Sequence, residues 1–213
     1  MKYLNLGKNG PRVSSIGYGT WGISGRDWGF TDDEVSKKAI YAALDNGVNL
    51  IDTADVYGFG HSEELIAQVL NERGEKEKVI IATKAGNNFY PFLNEKHNTT
   101  PANPDYSKKH LIFAAEQSLK RLKRDYLDVL QLHSPTTDLL MKDEPWETLL
   151  KLKEQGKIKQ AGLSVQSFKE TEQAFLLDEH KDILDVIQVR YNLLEREAEK
   201  ELFPKALKYG IGV

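Results

Sequence analysis

Residues 47–64 read GVNLIDTADVYGFGHSEE. Gly47 supplies a turn, a short apolar strand runs from Val48 to Ile51, and it ends on the carboxylate of Asp52. A loop then carries Tyr57 among glycines and small residues. A helix is predicted to start at Ser62, with Glu63 and Glu64 in its first turn. In a parallel α/β protein the loop after a strand's C-terminal end is where chemistry is placed. Asp52 and Tyr57 both sit there and can reach one pocket. A tyrosine is a poor acid at neutral pH, with a reference pKa of about 10. A proton-donating Tyr57 therefore needs a nearby cation, and the search for one leads to Lys84.

Outward from this stretch, strand and helix alternate. Tyr3–Leu6 and Arg12–Ser14 flank the turn signal Asn9-Gly10 and read as a hairpin. Ser15–Gly19 is a strand, and Thr20–Phe30 a loop rich in Gly and Trp. Thr31 or Asp32 caps a helix to Asn46 with Val35, Ala39, Ile40, Ala43 and Leu44 on its apolar stripe. VIIAT at residues 79–83 is a buried-type strand ending at Lys84. Residues 85–106 form a long loop. Ser107 caps a helix to about Lys123, and YLDVLQL at residues 126–132 is a strand followed by His133. A helix near Glu144–Gln155 stops at Gly156. Ile158–Val165 and Asp185–Arg190 are strands, Ser167–Leu177 and Arg196–Lys208 helices, and Gly210–Val213 opens one more strand.

This alternation implies a parallel sheet covered by helices, either open and doubly wound or closed as a barrel. The count favours one domain over residues 1–213: a TIM (β/α)8 barrel with an N-terminal β-hairpin, here incomplete. Six βα units and the start of strand 7 are present. A whole barrel takes about 250 residues.

Bulk composition narrows the function. The 213 residues are 40% hydrophobic, enough for a sizeable core, and the net charge is −3 with both signs well mixed. No basic face is implied, which argues against nucleic acid as the main partner. The absence of cysteine removes disulfides and thiolate chemistry and fits a cytoplasmic setting. MKYLNLGKNG lacks the apolar run of a signal peptide, and no stretch is long enough for a membrane span. No metal is expected. A metal-dependent hydrolase would want several ligands at strand ends, whereas His61, His97, His110 and His180 read as loop or helix-surface residues.

Residues 17–22, GYGTWG, spell G-x-G-x-x-G. A dinucleotide-binding turn of that kind must lead straight into a helix. Here Ile23–Phe30 intervenes, so a glycine-rich loop that lines a pocket is the better reading.

Four polar groups fall at the C-terminal ends of successive strands: Asp52 with Tyr57 in its loop, then Lys84, then His133. Strands lie about 4.8 Å apart, so three neighbours bring these groups within roughly 10 Å of one centre. Each residue taken singly suits a blander role, as a cap, a solvated end or packing. Together they make coherent chemistry. Lys84 beside Tyr57 would lower the phenol's pKa, and Asp52 would hold the lysine charged. Tyr57 would give its proton to a developing alkoxide while His133 offers that oxygen a second hydrogen bond. The set suits reduction of a carbonyl. It contains no hydride source, so a cofactor must supply one.

The chain resembles the aldo-keto reductases over essentially its whole length. GYGTWG, NLIDTADVYGFGHSEELI, VIIATKAG, SLKRLKRDYLDVLQLHSP, GKIKQAGLS and IQVRYNLLE follow that family's segments in order. The D-T-A-x-x-Y-G-x-x-x-S-E and D-Y-x-D-x-x-x-x-H blocks are the most specific. The Gly-rich first loop looks more like the bacterial and potassium-channel β-subunit side of the family. The resemblance implies a barrel closed below by the hairpin, NADPH as hydride donor and a small carbonyl substrate. It implies Tyr57 as general acid in a tetrad with Asp52, Lys84 and His133, and Ser164 and Gln188 on the nicotinamide carboxamide. It also implies that Gly19, Thr20 and Trp21 lie beside the cofactor, Trp21 reaching the substrate too. The aromatics of loop 85–106, Phe89, Tyr90 and Phe92, read equally as a substrate wall with Trp21, Phe59 and His133 or as packing that caps the helix ring.

Two departures from the family pattern bear on function. Ser164-Val165 stands where Ser-Asn is usual, so Gln166 is expected to substitute for the asparagine. The sequence also stops at Val213, before the family's segments that hold the pyrophosphate and the 2′-phosphate. The expectation is therefore the acid–base half of a site without most of the cofactor-gripping half. The alternative is a non-catalytic truncated barrel acting as a partner-binding or regulatory subunit, whose open strand edges would invite pairing with a second copy.

Overall fold

The computed structural model describes residues 1–94, 99–100, 102–165 and 173–213. The predicted helix start at Ser167, together with Gln166 and His97, lies outside them.

Strands β1 (Tyr3–Asn5) and β2 (Arg12–Ser14) form an antiparallel hairpin. Six parallel strands follow in sequential order: β3 (Tyr18–Gly19), β4 (Leu50–Asp52), β5 (Ile80–Ala85), β6 (Leu127–His133), β7 (Ile158–Ser164) and β8 (Val186–Gln188). Gly212 makes a further parallel bridge to Val186, the opening of a seventh strand. The architecture is an incomplete (β/α)8 barrel with its hairpin. Helices α1 (Asp33–Asp45), α2 (His61–Arg73), α3 (Lys108–Leu122), α4 (Thr137–Leu140) and α5 (Asp143–Glu154) are joined by helices Leu176–Glu179 and Leu202–Tyr209.

Strand side chains alternate between two faces. Ile51, Ile81, Leu130, Leu132, Ala161, Leu163 and Ile187 face outward into the main core with Leu65 and Leu70 of α2, Leu111 of α3 and Trp146 of α5. Val129, Ala82 and Val186, with Leu50 and Ile80, face inward and pack on Leu6 and Val13 of the hairpin. The hairpin thus closes the bottom of the barrel. The same inward parity, continued upward, carries Asp52, Lys84, Gln131, His133, Ser164 and Gln188 to the top.

Local signals account for most element ends. The Asp32 carboxylate accepts from Val35 N–H and starts α1; Ser107 does the same for α3 through His110 N–H. Gly156 follows α5 with φ +71°. Three expectations need correction. Val35 is 64% exposed, because α1 buries Ser36, Ile40 and Leu44 instead. Helix α2 starts at His61, because Gly60, at φ +95°, takes the N-cap position. Ser62 is buried in the first turn, its hydroxyl 2.8 Å from Thr20 Oγ1 and 3.0 Å from Thr53 Oγ1. The predicted helix 196–208 is broken into a 3₁₀ turn, Glu197–Glu199, and the helix Leu202–Tyr209. Pro204 explains the break, since its ring would clash with the carbonyl of Lys200 in a continuous helix.

Candidate active site

Strand register sets the site. Gly19 pairs with Asp52 and Asp52 with Ala82, two residues below Lys84; Lys84 pairs with Gln131; His133 pairs with Ser164, and Ser164 with Gln188. These groups form an arc around the top of the lumen. Lys84, His133, Ser164 and Gln188, with Trp21 and Tyr57, border a cleft of about 570 Å³. Gly19, Asp52 and Gln188 border a second opening, of about 370 Å³, that descends the lumen.

Lys84 is 2% exposed. Its Nζ donates to both Asp52 carboxylate oxygens and to the Thr53 carbonyl, each at 2.8 Å. An ammonium has three donors, so this set uses all of them. Burial pulls the Lys84 pKa down, and the Asp52 carboxylate opposes the shift. Lys84 Nζ lies 5.3 Å from the centre of the Tyr57 ring, where it acts through charge. Trp21 stacks on Tyr57 at 6.0 Å and 16°, and His133 meets Tyr57 edge-on at 5.7 Å.

The expected lowering of the Tyr57 pKa does not describe the resting site. Burial, and then the Asp52 charge, hold the phenol well above its ordinary value. Burial is the larger cause, and the Asp52 carboxylate adds repulsion of a phenolate. Tyr57 is consequently protonated at neutral pH, the state a proton donor needs. Burial and the Lys84 charge lower the His133 pKa to about 3, so its ring is neutral. Nδ1 of His133 is buried without a hydrogen-bond partner among the described residues. The Tyr106 hydroxyl donates to the His133 carbonyl at 2.5 Å and fixes the backbone there.

Several expected contacts lie elsewhere. Thr20 is fully buried, and its N–H and hydroxyl both donate to the Asp52 carbonyl at 3.0 Å. It fastens the strand end, and its hydroxyl also accepts from Ser62 Oγ. Among the described residues, the cleft lining includes neither Phe59, Phe89 nor Tyr90. Phe89 is fully buried and stacks on Phe59 at 5.0 Å and on Tyr90 at 4.3 Å. Loop 85–106 does border the cleft, through Asn87, Thr100 and Ala102. His110, expected on a helix surface, is 5% exposed. It meets the Tyr90 ring edge-on.

Three buried polar residues, Glu63, Asp55 and Gln131, were missed from sequence. Glu63, fully buried, accepts from Thr83 Oγ1 and from Arg121 Nε, each at 2.6 Å. Asp55 is fully buried, and its carboxyl lacks a well-formed hydrogen bond among the described residues. Burial, with the Glu63 charge second, raises its pKa well above the carboxylate range. Gln131, on the inward parity of β6, donates to Gln188 Oε1 at 3.3 Å. That parity was the available signal for Gln131.

Comparison with known proteins fixes the class. The Aldo/keto reductase family model matches residues 15–213. The chain belongs to that family, whose members are oxidoreductases. Over 208 residues it is 38% identical to the aldo-keto reductase YhdN of Bacillus subtilis, a match covering 97% of this chain and 58% of that one. It is 31% identical over 219 residues to a probable voltage-gated potassium channel subunit beta of Arabidopsis thaliana, covering all of this chain and 62% of the relative. Among solved structures, the holo form of the aldo-keto reductase AKR11C1 from Bacillus halodurans superposes with a TM-score of 0.81 at 30% identity, over 99% of this chain and 64% of that one. The chain therefore spans less than two thirds of the length of each of these relatives. No helix among the described residues is long and apolar enough to cross a membrane.

Proposed function

We propose that the protein reduces a small aldehyde or ketone to the alcohol, with NADPH as the hydride donor and Tyr57 as the proton donor. The observation that carries this reading is one cleft lined by a protonated Tyr57, a neutral His133 and a buried Lys84 whose ammonium is paired with Asp52.

The residues present fit a nicotinamide. Gly19 leaves open space beside Asp52, since a β-carbon there would meet nothing within 4 Å. Ser164 and Gln188 stand at adjacent strand ends where a carboxamide would need polar partners, and Trp21 offers an aromatic wall. Gln188 Oε1 already accepts from Gln131, which leaves the Gln188 amide N–H groups to donate. A reduced nicotinamide supplies a hydride to the carbonyl carbon when bound.

This chain's own residues do the rest. Tyr57 and His133 orient the carbonyl oxygen, and Tyr57 transfers its phenolic proton as negative charge develops there. Lys84 stabilises the phenolate that results, and Asp52 keeps Lys84 in place. Solvent then returns a proton to Tyr57. Burial and the Asp52 charge keep the resting phenol protonated, and Lys84 acts at the moment of transfer, when negative charge develops on Tyr57.

We place the protein in the cytoplasm, in keeping with its lack of cysteine. The non-catalytic alternative is the weaker reading, because all four acid–base residues are present and assembled. Oxidation of NADPH, followed with a panel of aldehydes and ketones in the protein at its full natural length, tests the proposal. Carbonyl-dependent oxidation is expected. No oxidation of NADPH or NADH with any carbonyl would overturn it.

A further inference from the structure

We propose that Phe59 is a positioning residue: it holds the loop Tyr57–Gly60 in a run of left-handed conformations and so fixes where the Tyr57 phenol stands. Gly58 (φ 61°, ψ 23°), Phe59 (φ 57°, ψ 44°) and Gly60 (φ 95°, ψ −11°) are successive left-handed residues. Glycine adopts this region freely, but a residue with a side chain does not. A bulky residue persists there only where its surroundings over-determine it.

Those surroundings are on hand. The Phe59 ring stacks on fully buried Phe89 at 5.0 Å and 19°, and the Arg26 guanidinium lies 3.8 Å from its centroid. Phe89 stacks in turn on Tyr90, whose hydroxyl accepts from Arg121 at 3.3 Å. The Phe59 N–H donates to the Val56 carbonyl at 3.0 Å. The two flanking glycines are hemmed in as well. A β-carbon on Gly58 would come within 2.2 Å of the Ser24 carbonyl, and one on Gly60 within 2.5 Å of Arg121. The loop therefore has a single well-packed path, and the stacked ring is its anchor. Phe59 lies two residues from Tyr57 and outside the cleft lining, so it acts through Tyr57.

The test compares Phe59→Ala, Phe59→Gly and Phe59→Tyr by amide hydrogen exchange of the peptide spanning residues 54–61 and by kcat and KM. The kinetic arm rests on the carbonyl-reductase reading; the exchange arm does not. Phe59→Ala should exchange at least tenfold faster in that peptide, with α2 unchanged. Its kcat should fall ten- to a hundred-fold with KM within about threefold, the scale of a catalytic group misplaced by about an ångström. Phe59→Gly relieves the backbone restriction and should melt no lower than Phe59→Ala, yet keep the low kcat. Phe59→Tyr should stay within about twofold of wild type. Wild-type kcat in Phe59→Gly, or unchanged exchange in Phe59→Ala, would overturn the proposal. Should the wild type oxidise no NADPH, the carbonyl-reductase reading fails by itself and the exchange result alone decides.

Discussion

Lys84 Nζ stands 2.8 Å from both carboxylate oxygens of Asp52, with the lysine 2% and the aspartate side chain 26% exposed. The pair joins β4 to β5 at the top of the lumen, and little water screens it. Removing one partner strands the other charge, which is costlier than removing both.

Lys84→Met and Asp52→Asn should therefore each lower stability by about 3 kcal/mol, and the double variant should recover much of that loss. Urea titration of the four proteins measures the coupling. Strictly additive losses would show that the two charges do not depend on each other.

Asp55→Asn should stabilise the protein increasingly as pH rises. The folded carboxyl titrates above its unfolded value because of burial and Glu63. Wild type is therefore progressively penalised from about pH 4 up to the folded pKa, by at most about 1.4 kcal/mol per pH unit. Asparagine escapes that penalty. Unfolding free energies at pH 5 and pH 8 give the comparison, and an advantage for the variant that shrinks toward pH 8 would contradict the assignment.

His133 gives the opposite slope. Its folded pKa of about 3 lies below the ordinary value of 6.5. Below pH 6.5 the unfolded chain takes up a proton that the folded site refuses, so stability falls as pH falls toward 3. His133→Gln should flatten the curve between pH 4.5 and 6.5 by up to about 1.4 kcal/mol per unit. His110 and His180, also lowered by burial, stay in both proteins, so the difference isolates His133. Parallel melting curves against pH would count against a neutral, buried ring.

Gly86 has φ +133°, and a β-carbon there would fall 2.2 Å from the Tyr106 ring. Because Tyr106 holds the His133 carbonyl, Gly86→Ala should cost roughly 3 kcal/mol and also displace His133. Tyr106→Phe, which keeps the ring and loses the hydrogen bond, should cost only about 1 kcal/mol. Thermal melts of both variants test the ordering.

How much of this was legible in the sequence depended on the range of the forces involved. Asp32, Ser107 and Gly156 act on their own backbone neighbours, so helix ends could be read from them. The strand-end placement of Asp52, Lys84 and His133 followed from alternation alone. The long-range facts could not be read that way. Phe59, Phe89 and Tyr90 read in one dimension as either a substrate wall or packing. The left-handed backbone at Phe59 and the stack on Phe89 turn them into packing. Glu63 looks like a solvated helix-start carboxylate, and only the approach of Arg121 from α3 and Thr83 from β5 gives it buried partners; the burial of Asp55 is likewise set by the tertiary fold. Thr20 reads as a pocket residue until β3 pairs with β4 and points both its donors at the Asp52 carbonyl.

The central claim, that Tyr57 donates the proton in carbonyl reduction, is tested most directly by Tyr57→Phe. NADPH binding, followed by quenching of tryptophan emission, and carbonyl-dependent turnover should be measured on the same preparation. Binding within about twofold of wild type with kcat lowered a hundred-fold or more is the predicted result, the range expected for loss of a general acid. Turnover within tenfold of wild type, with binding intact, would contradict the assignment and move the proton donor to another group in the cleft.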